Sequence, residues 1–267
     1  MTMDSTLLLF SFILGTIIGS FLNVVVYRYK TGMGLGGRSK CFTCDRTLTW
    51  VELFPIVSFL VQGGACKKCR SKISWQYPLV EAGTGILFAL VLYAFPPLSI
   101  ASAVTTLYYF IITGILVVIT VYDAKHKIIP DPLVYTFSLL ACLHLFISPT
   151  LTLVFPGLSA LFAGPVLALP FFLLWLFSKG KWMGLGDAKL ALGIGWVLGM
   201  SGGFSAIALA FWIGAIISVC WMLVTTKKFK PRYEIPFGPY LILGMYLVLF
   251  CNIEVFDFSV LSYFFNL

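Results

Sequence analysis

Long apolar runs follow one another along most of the chain, and short polar or charged segments separate them. A helix that crosses a bilayer needs about 20 predominantly apolar residues. Two of the runs, 133–148 and 188–200, are short for a full crossing, so we expect them to be tilted or partly re-entrant. Eight candidate spans result: 5–27, 78–95, 99–122, 133–148, 151–178, 188–200, 204–226 and 235–252. The pattern predicts an all-α polytopic membrane protein with about eight transmembrane helices.

Composition strengthens this prediction, since 60% of the residues are hydrophobic and only 10% are charged. The first run, Ser5 to Tyr27, has no lysine or arginine before it and lacks a small-residue cleavage site. These two features are typical of a retained helix and not of a cleaved signal peptide. We therefore expect the first run to remain in the membrane as a span.

Basic residues are confined to one side of the predicted membrane topology. If all eight runs cross, every lysine and arginine except Lys189 lies in segment 28–77, 123–132, 179–187 or 227–234. Lys189 lies at the same edge, just inside its span, whereas the opposite side carries no basic residue. Basic loops stay preferentially in the cytoplasm, so the N-terminus is predicted to lie outside. The net charge of +8 then reflects orientation and attraction to anionic membrane lipid, and it requires no nucleic-acid partner.

The long segment 28–77 contains two C-x-x-C pairs, with 21 residues between them. Their members are Cys41 and Cys44 in "CFTC" and Cys66 and Cys69 in "CKKC". Four thiolates in two such pairs can enclose one tetrahedral Zn²⁺ ion. Two disulfides are the alternative, but thiols stay reduced in the cytoplasm, where the topology places this loop. We therefore predict a structural zinc site in a small zinc-ribbon-like domain, with no open coordination position for a substrate.

Aspartates at the edges of the spans are the next informative residues, because an ionisable group there is costly and usually has a function. Asp123 ends the third run, in "VYDAKHKIIPDP", and Asp131 follows in the same stretch. Asp187 begins the sixth run, in "GLGD". An acid at a helix N-terminus also serves as a cap, and this alternative applies to Asp187 and more strongly to Asp131. The pattern leaves both a shared site and simple capping open.

Two aspartates at one water-accessible membrane edge support peptide hydrolysis without a covalent intermediate. The ionised carboxylate takes a proton from water, the protonated one donates to the scissile carbonyl, and mutual repulsion keeps one proton shared. Gly184 and Gly186 fit this chemistry, because glycine lets a substrate strand or a neighbouring helix approach the backbone closely.

The chain resembles the type IV prepilin peptidase family of bifunctional leader peptidases and N-methyltransferases in segments that occur in order from the first helix almost to the last. They are "GSFLNVVVYR" (19–28), the two cysteine pairs, "ISWQYPLVE" (73–81), "YDAKHKIIPD" (122–131), "GLGDAKL" (184–190) and "PFGPYL" (236–241). The resemblance implies that Asp123 and Asp187 are the catalytic pair, as in the GxGD aspartyl proteases of membranes. It also implies cleavage of prepilin or pseudopilin partners at the cytoplasmic face of the bacterial inner membrane.

Methylation of the new N-terminal residue with S-adenosylmethionine is implied by the same resemblance. The N-terminal region, 1–95, would carry it, and 96–267 would form the membrane peptidase domain. No glycine-rich nucleotide loop after a strand is visible, so the sequence assigns no residue to S-adenosylmethionine. Glu81 and Arg28 are the nearest polar groups, and an ion pair between them is the alternative to cofactor contact. The sequence specifies no oligomeric state.

Two interpretations from other classes remain open at this point. In a transporter, Asp123, Asp131 and Asp187 would line a cation or proton path. A transporter is expected to place acids near the membrane midplane and to show an internal repeat, and the sequence shows neither. In a zinc-ribbon membrane scaffold without turnover, Asp187 would have no role beyond capping.

Overall fold

A computed structural model describes residues 5–32, 34, 36–148, 150–224 and 235–256. Over these residues the regular structure is helical, with isolated bridges and no strand. The helices are α1 (Ser5–Arg28), a 3₁₀ helix (Trp50–Leu53), α2 (Val57–Val61), α3 (Gln76–Ala94), α4 (Ile100–His126), α5 (Asp131–His144), α6 (Leu158–Ser178), α7 (Leu185–Val224) and α8 (Gly238–Cys251). The predicted all-α class is confirmed.

Five of these helices, α1, α3, α4, α6 and α7, are long and apolar enough to cross a membrane. The runs predicted at 188–200 and 204–226 both lie in α7, where Gly199, with φ 72° and ψ −170°, interrupts the helical backbone. The fifth run becomes helical only at Leu158, after Gly157 as the N-cap. The chain is therefore a multi-pass membrane protein, and the number of eight crossings remains a prediction. The predicted basic segment 227–234 lies outside the described residues.

The chain divides into two compact units, residues 1–118 and 119–267. In the first unit, α1 packs on α3 so closely that a Cβ on Gly15 would lie 2.8 Å from the Cα of Gly85. Such backbone contact between membrane helices is possible only where side chains are absent or small. Ser11 Oγ adds a hydrogen bond to the carbonyl oxygen of Phe88, at 3.0 Å. This helix pair fixes both ends of the loop that carries the four cysteines.

In the second unit, α7 packs against α5, α6 and α8. Small residues again allow close approach, since a Cβ on Gly195 would lie 2.7 Å from the Cα of Gly164. The boundary between the units falls within α4, so the final turns of α4, with Asp123, belong to the second unit. The packing of α7 therefore determines where Asp187, in its first turn, lies.

Candidate active site and four-cysteine centre

Each C-x-x-C pair is held by a tight turn with its own backbone hydrogen bonds. In the first turn, Cys41 N–H donates to the carbonyl oxygen of Arg46 at 2.9 Å, and Asp45 N–H donates to that of Cys41 at 3.0 Å. Asp45 has a φ of 51°, a left-handed conformation that reverses the chain directly after Cys44. These bonds aim both thiols of the pair to one side of the turn.

The second turn repeats the first. Cys66 N–H donates to the carbonyl oxygen of Ser71, and Arg70 N–H donates to that of Cys66, both at 2.9 Å. Arg70 has a φ of 57°, matching the left-handed residue of the first turn. Isolated antiparallel bridges flank the two turns, Lys40 with Thr47 and Ala65 with Lys72. The two pairs thus present their thiols from equivalent local structures.

The four thiols converge on one point. The sulfur atoms of Cys41, Cys44, Cys66 and Cys69 all lie within 4.8 Å of one another. Cys41 Sγ is 3.7 Å from Cys69 Sγ, close to the separation of about 3.8 Å that Zn–S bonds of about 2.3 Å give in a tetrahedron. All the cysteines are free thiols, so the disulfide alternative is not found. The predicted four-cysteine cluster is confirmed, and its donor set fits a tetrahedral metal ion.

Backbone N–H groups point at the first thiol of each pair. The N–H groups of Thr43 and Cys44 lower the pKa of Cys41 to about 6. The equivalent groups in the second turn, led by the N–H of Cys69, lower the pKa of Cys66. Because the thiolate is the form that binds metal, the turns prepare these two ligands for a cation.

The buried carboxylate of Glu52 stabilises the chain directly after the first turn through hydrogen bonds. Arg46 Nη2 donates to Glu52 Oε1 at 2.5 Å, and Thr49 donates to Glu52 Oε2 from its N–H and its hydroxyl, at 2.9 and 3.0 Å. The Arg46 bond above all, with those from Thr49, lowers the pKa of Glu52 to about 2. Arg46 also interacts electrostatically with the thiol of Cys66 and so links Glu52 to the cluster. This link was not predicted from the sequence, although the T-x-x-E spacing of Thr49 and Glu52 is a capping-box signal.

Asp123 and Asp187 lie near each other at the ends of two helices. Asp123 is in the last turn of α4, Asp187 is in the first turn of α7, and only 4% and 9% of their surfaces are exposed. The two carboxylates are close enough to interact electrostatically. The Asp187 carboxylate also accepts the backbone N–H of Gly184. Its position therefore combines the capping and the shared-site interpretations.

The start of α8 completes the surroundings of Asp123. Gly238 N–H donates to Asp123 Oδ2 at 3.1 Å, and a Cβ on Gly238 would lie only 2.7 Å from that oxygen. The positive end of the α8 dipole thus faces this carboxylate. The segment "PFGP" has no local sequence signal for this contact, because its approach to Asp123 depends on tertiary packing.

Ile129 lies between the two glycines that flank the aspartates. A Cβ on Gly238 would come within 3.3 Å of Ile129 Cδ1, and a Cβ on Gly186 would lie 2.8 Å from Ile129 Cβ. Gly186 is therefore needed for packing against the segment after α4. Of the two predicted neighbours of this glycine, a substrate strand or another part of the protein, the structure shows the second at Gly186, while Gly184 has no such neighbour.

Asp131 is not part of the pair. Its carboxylate forms an ion pair with Lys189, Nζ to Oδ1 2.6 Å, and its side chain is 63% exposed. The predicted capping role is wrong, since Pro130 is the N-cap of α5 and no side chain caps that helix. Asp131 is thus exposed and paired with a lysine, whereas Asp123 and Asp187 are buried.

Glu81 of α3 is buried in the first unit and holds the loop. Its Oε2 accepts the backbone N–H of Ile56 at 2.7 Å. Arg28, its predicted ion-pair partner, donates to the carbonyl oxygens of Gly34 and Gly36 at 2.9 and 2.5 Å. Both groups therefore organise the backbone of the loop that follows α1.

Comparison with known families divides the chain into two matched regions. Residues 13–95 match the bacterial peptidase A24 N-terminal domain, and residues 110–219 match the type IV leader peptidase family. The four cysteines fall in the first region, and the two buried aspartates fall in the second.

Individual relatives match along nearly the whole chain. A protein of Bacillus subtilis is 32% identical over 263 residues, covering 93% of this chain and 96% of the relative. A protein of Vibrio cholerae is 29% identical, and the match covers 91% of this chain and 96% of the relative. A protein of Pseudomonas aeruginosa is 30% identical, and the match covers 89% of this chain and 88% of the relative. All three are prepilin leader peptidase/N-methyltransferases. No solved structure matches the chain.

Proposed function

The chain belongs to the type IV leader peptidase family, and from this premise we propose which of its residues carry out the family's reactions. The protein cleaves the leader peptide of type IV prepilins and N-methylates the new N-terminal residue. We assign the cleavage to Asp123 and Asp187 and extend the substrates to pseudopilins. The transporter interpretation has no support from the comparisons.

The observation that carries this assignment is the burial of two neighbouring carboxylates at helix ends. Repulsion between carboxylates at short distance favours one proton shared by the pair. The ionised member takes a proton from the attacking water, and the protonated member donates to the carbonyl oxygen of the scissile bond. Asp123 accepts the N–H of Gly238 and Asp187 accepts that of Gly184, so either carboxylate can be the base in the first step while the other is the proton donor.

Conservative replacement of each aspartate tests the assignment. Membranes that contain Asp123→Asn or Asp187→Asn should lose cleavage of a prepilin by at least about 10²-fold, because each variant removes one proton-transfer group. Cleavage is measured by the size shift of the substrate on a gel. Methylation of a pre-cleaved pilin with labelled S-adenosylmethionine should persist and would show that the variant is folded.

Asp131→Asn is the matched control, since it removes an acid from the same stretch that is exposed and paired with Lys189. Its cleavage activity should remain near that of the unmodified protein. Normal cleavage by Asp187→Asn would overturn the assignment of the catalytic pair.

We further propose that Zn²⁺ occupies the four-cysteine cluster. Cys41, Cys44, Cys66 and Cys69 would hold the ion, which supplies a structural cross-link between the two turns. Four thiolates fill a tetrahedral coordination sphere and leave no position for substrate, so the proposed hydrolysis does not involve this ion.

The methyltransferase activity is proposed for the N-terminal region, 1–95, with 96–267 as the peptidase domain. S-adenosylmethionine supplies the methyl group when bound. The match of residues 13–95 to a separate N-terminal domain supports this division.

The proposed location is the bacterial inner membrane, with the N-terminus outside and the aspartate pair at the cytoplasmic face. Support comes from the confinement of lysine and arginine to one side of the predicted topology. Reporter fusions at the short segments between helices would test the orientation.

A further inference from the structure

The loop between the two cysteine pairs exposes a continuous apolar surface outside the predicted spans. Its large side chains belong to the 3₁₀ helix, to α2 and to the turn between them; Trp50 is 78% exposed and Val61 is 77% exposed. The loop surface consists of Trp50, Val51, Phe54, Val57, Leu60 and Val61. All of these residues except Leu60 line a groove of about 160 Å³. Large exposed apolar patches of this kind mark contacts with a partner or a membrane.

The loop surface belongs to an ordered element, because the opposite side of α2 is packed. Phe59 is buried, its ring centroid lies 4.9 Å from that of Trp75, and a Cβ on Gly64 would lie 3.1 Å from the ring. Val57, Leu60 and Val61 follow the i, i+3, i+4 spacing of one helical face. This short helix therefore has one apolar side inside the unit and another outside it.

The start of α2 is fixed at the depth of a membrane helix. Ile56, directly before α2, donates its backbone N–H to Glu81 Oε2 at 2.7 Å. Glu81 lies within α3, which begins at Gln76, so at 1.5 Å per residue it is about 8 Å along that helix. Ile56 adopts a φ of 60°, a costly conformation for a β-branched residue, to make this bond. The bond holds α2 at the level of the first turns of a membrane-spanning helix.

Side chains around the loop surface have the chemistry of a membrane interface. Trp75, directly before α3, is exposed, and tryptophan is enriched at the boundary between lipid and water. Lys67 lines the groove, and Lys68, Arg70 and Lys72 follow it in the chain. Lys67, which lies beside this apolar face, favours contact with anionic phospholipid.

From the level of α2 along α3, the exposed apolar side chains and the basic residue at the groove, we propose that the loop surface is inserted into the headgroup and upper acyl region of an anionic bilayer. The four-cysteine centre would then be held against the membrane as a surface-bound domain. This inference does not depend on the assignment of the catalytic aspartates.

Nitroxide labels in full-length protein test the insertion. A nitroxide-bearing amino acid is introduced at Val61 by amber suppression, which leaves the cysteines unmodified, and the protein is reconstituted in vesicles of phosphatidylethanolamine and phosphatidylglycerol. Oxygen partitions into the bilayer and a nickel chelate stays in water. The label at Val61 should therefore collide more often with oxygen than with the chelate. A label at Leu60 should give the same result, and one at exposed Arg38 the reverse.

A prepilin added to the vesicles separates the two possible occupants of the loop surface. Cleavage of this prepilin by the labelled proteins shows that they are folded. Chelate access at Val61 and Leu60 equal to that at Arg38 would overturn the proposal. Protection of Val61 that appears only after the prepilin is added would also overturn it and would assign the loop surface to the substrate.

Discussion

The four-cysteine centre and the aspartate pair are assembled in opposite ways. Each cysteine turn forms its hydrogen bonds within a few residues, as Cys41 does with Arg46 and Cys66 with Ser71. The surroundings of Asp123 instead depend on Gly238, 115 positions away in the chain. A locally built centre can be lost without disturbing distant helices. A centre built by packing is sensitive to any change that shifts one helix against another.

The largest effect is expected from removing one thiol of the cysteine centre. Cys41→Ser and Cys66→Ser should each abolish zinc binding, and to the same extent, because the two turns are equivalent. Structural zinc sites contribute about 10–16 kcal/mol to the folding of small domains. Zinc per protein, measured by mass spectrometry, should fall to background, and trypsin should cut the loop between α1 and α3 rapidly.

Cys142→Ser in α5 is the control for this experiment, since Cys142 lies outside the cluster. It should leave the metal content unchanged, and chelator treatment of the unmodified protein should reproduce the trypsin pattern of Cys41→Ser. Zinc retained in either cluster variant would contradict the four-cysteine site.

A smaller but selective effect is expected where α8 meets Asp123. Gly238→Ala would place a methyl group 2.7 Å from Asp123 Oδ2, so α8 or the carboxylate must shift. Displacement of a catalytic group by about 1 Å costs on the order of 10²-fold in rate. Prepilin cleavage should slow by about that factor, while zinc content stays normal.

Gly114→Ala provides the matched glycine change, because Gly114 is in the same helix as Asp123 and an added Cβ there meets nothing within 4 Å. Its cleavage rate should be unaffected. If Gly238→Ala cleaves at the normal rate, the contact does not position Asp123.

The smallest effect is expected from Glu52, which supports the cysteine centre from outside. Glu52→Gln weakens the bond to Arg46 and should destabilise the loop by about 1 kcal/mol, since Arg46 is partly exposed. The pKa of Glu52 is lowered from 4.5 to about 2, so its ionised form is the stabilising one. This stability is present above about pH 4.5 and is lost as the pH falls toward 2.

The difference between Glu52→Gln and the unmodified protein should therefore be constant between about pH 7 and 5. This stability difference is measured as the ratio of the trypsin cleavage rates of the two loops at each pH. Glu52→Asp, which keeps the charge, should lie between the two. A difference that disappears already at about pH 6 would contradict the ionised Arg46–Glu52 pair.

The sequence predicted the cysteine cluster well because a C-x-x-C pair defines its own turn. It placed Asp123 and Asp187 at one membrane edge through charge asymmetry, but only the packing of α7 brings their carboxylates together. The contact of Gly238 with Asp123 has no local signal. The capping prediction for Asp131 failed because Pro130 occupies the N-cap position of α5, and the charge of Asp131 pairs with Lys189 of another helix.

Backbone contact between α1 and α3 has a consequence for the affinity of the cysteine centre. The contact of Gly15 with Gly85 keeps the two ends of the intervening loop side by side. Even an unfolded loop is then a closed ring, and one C-x-x-C pair experiences the other at a raised effective concentration. The membrane helices thus reduce the chain entropy that the loop loses when both pairs bind one metal ion.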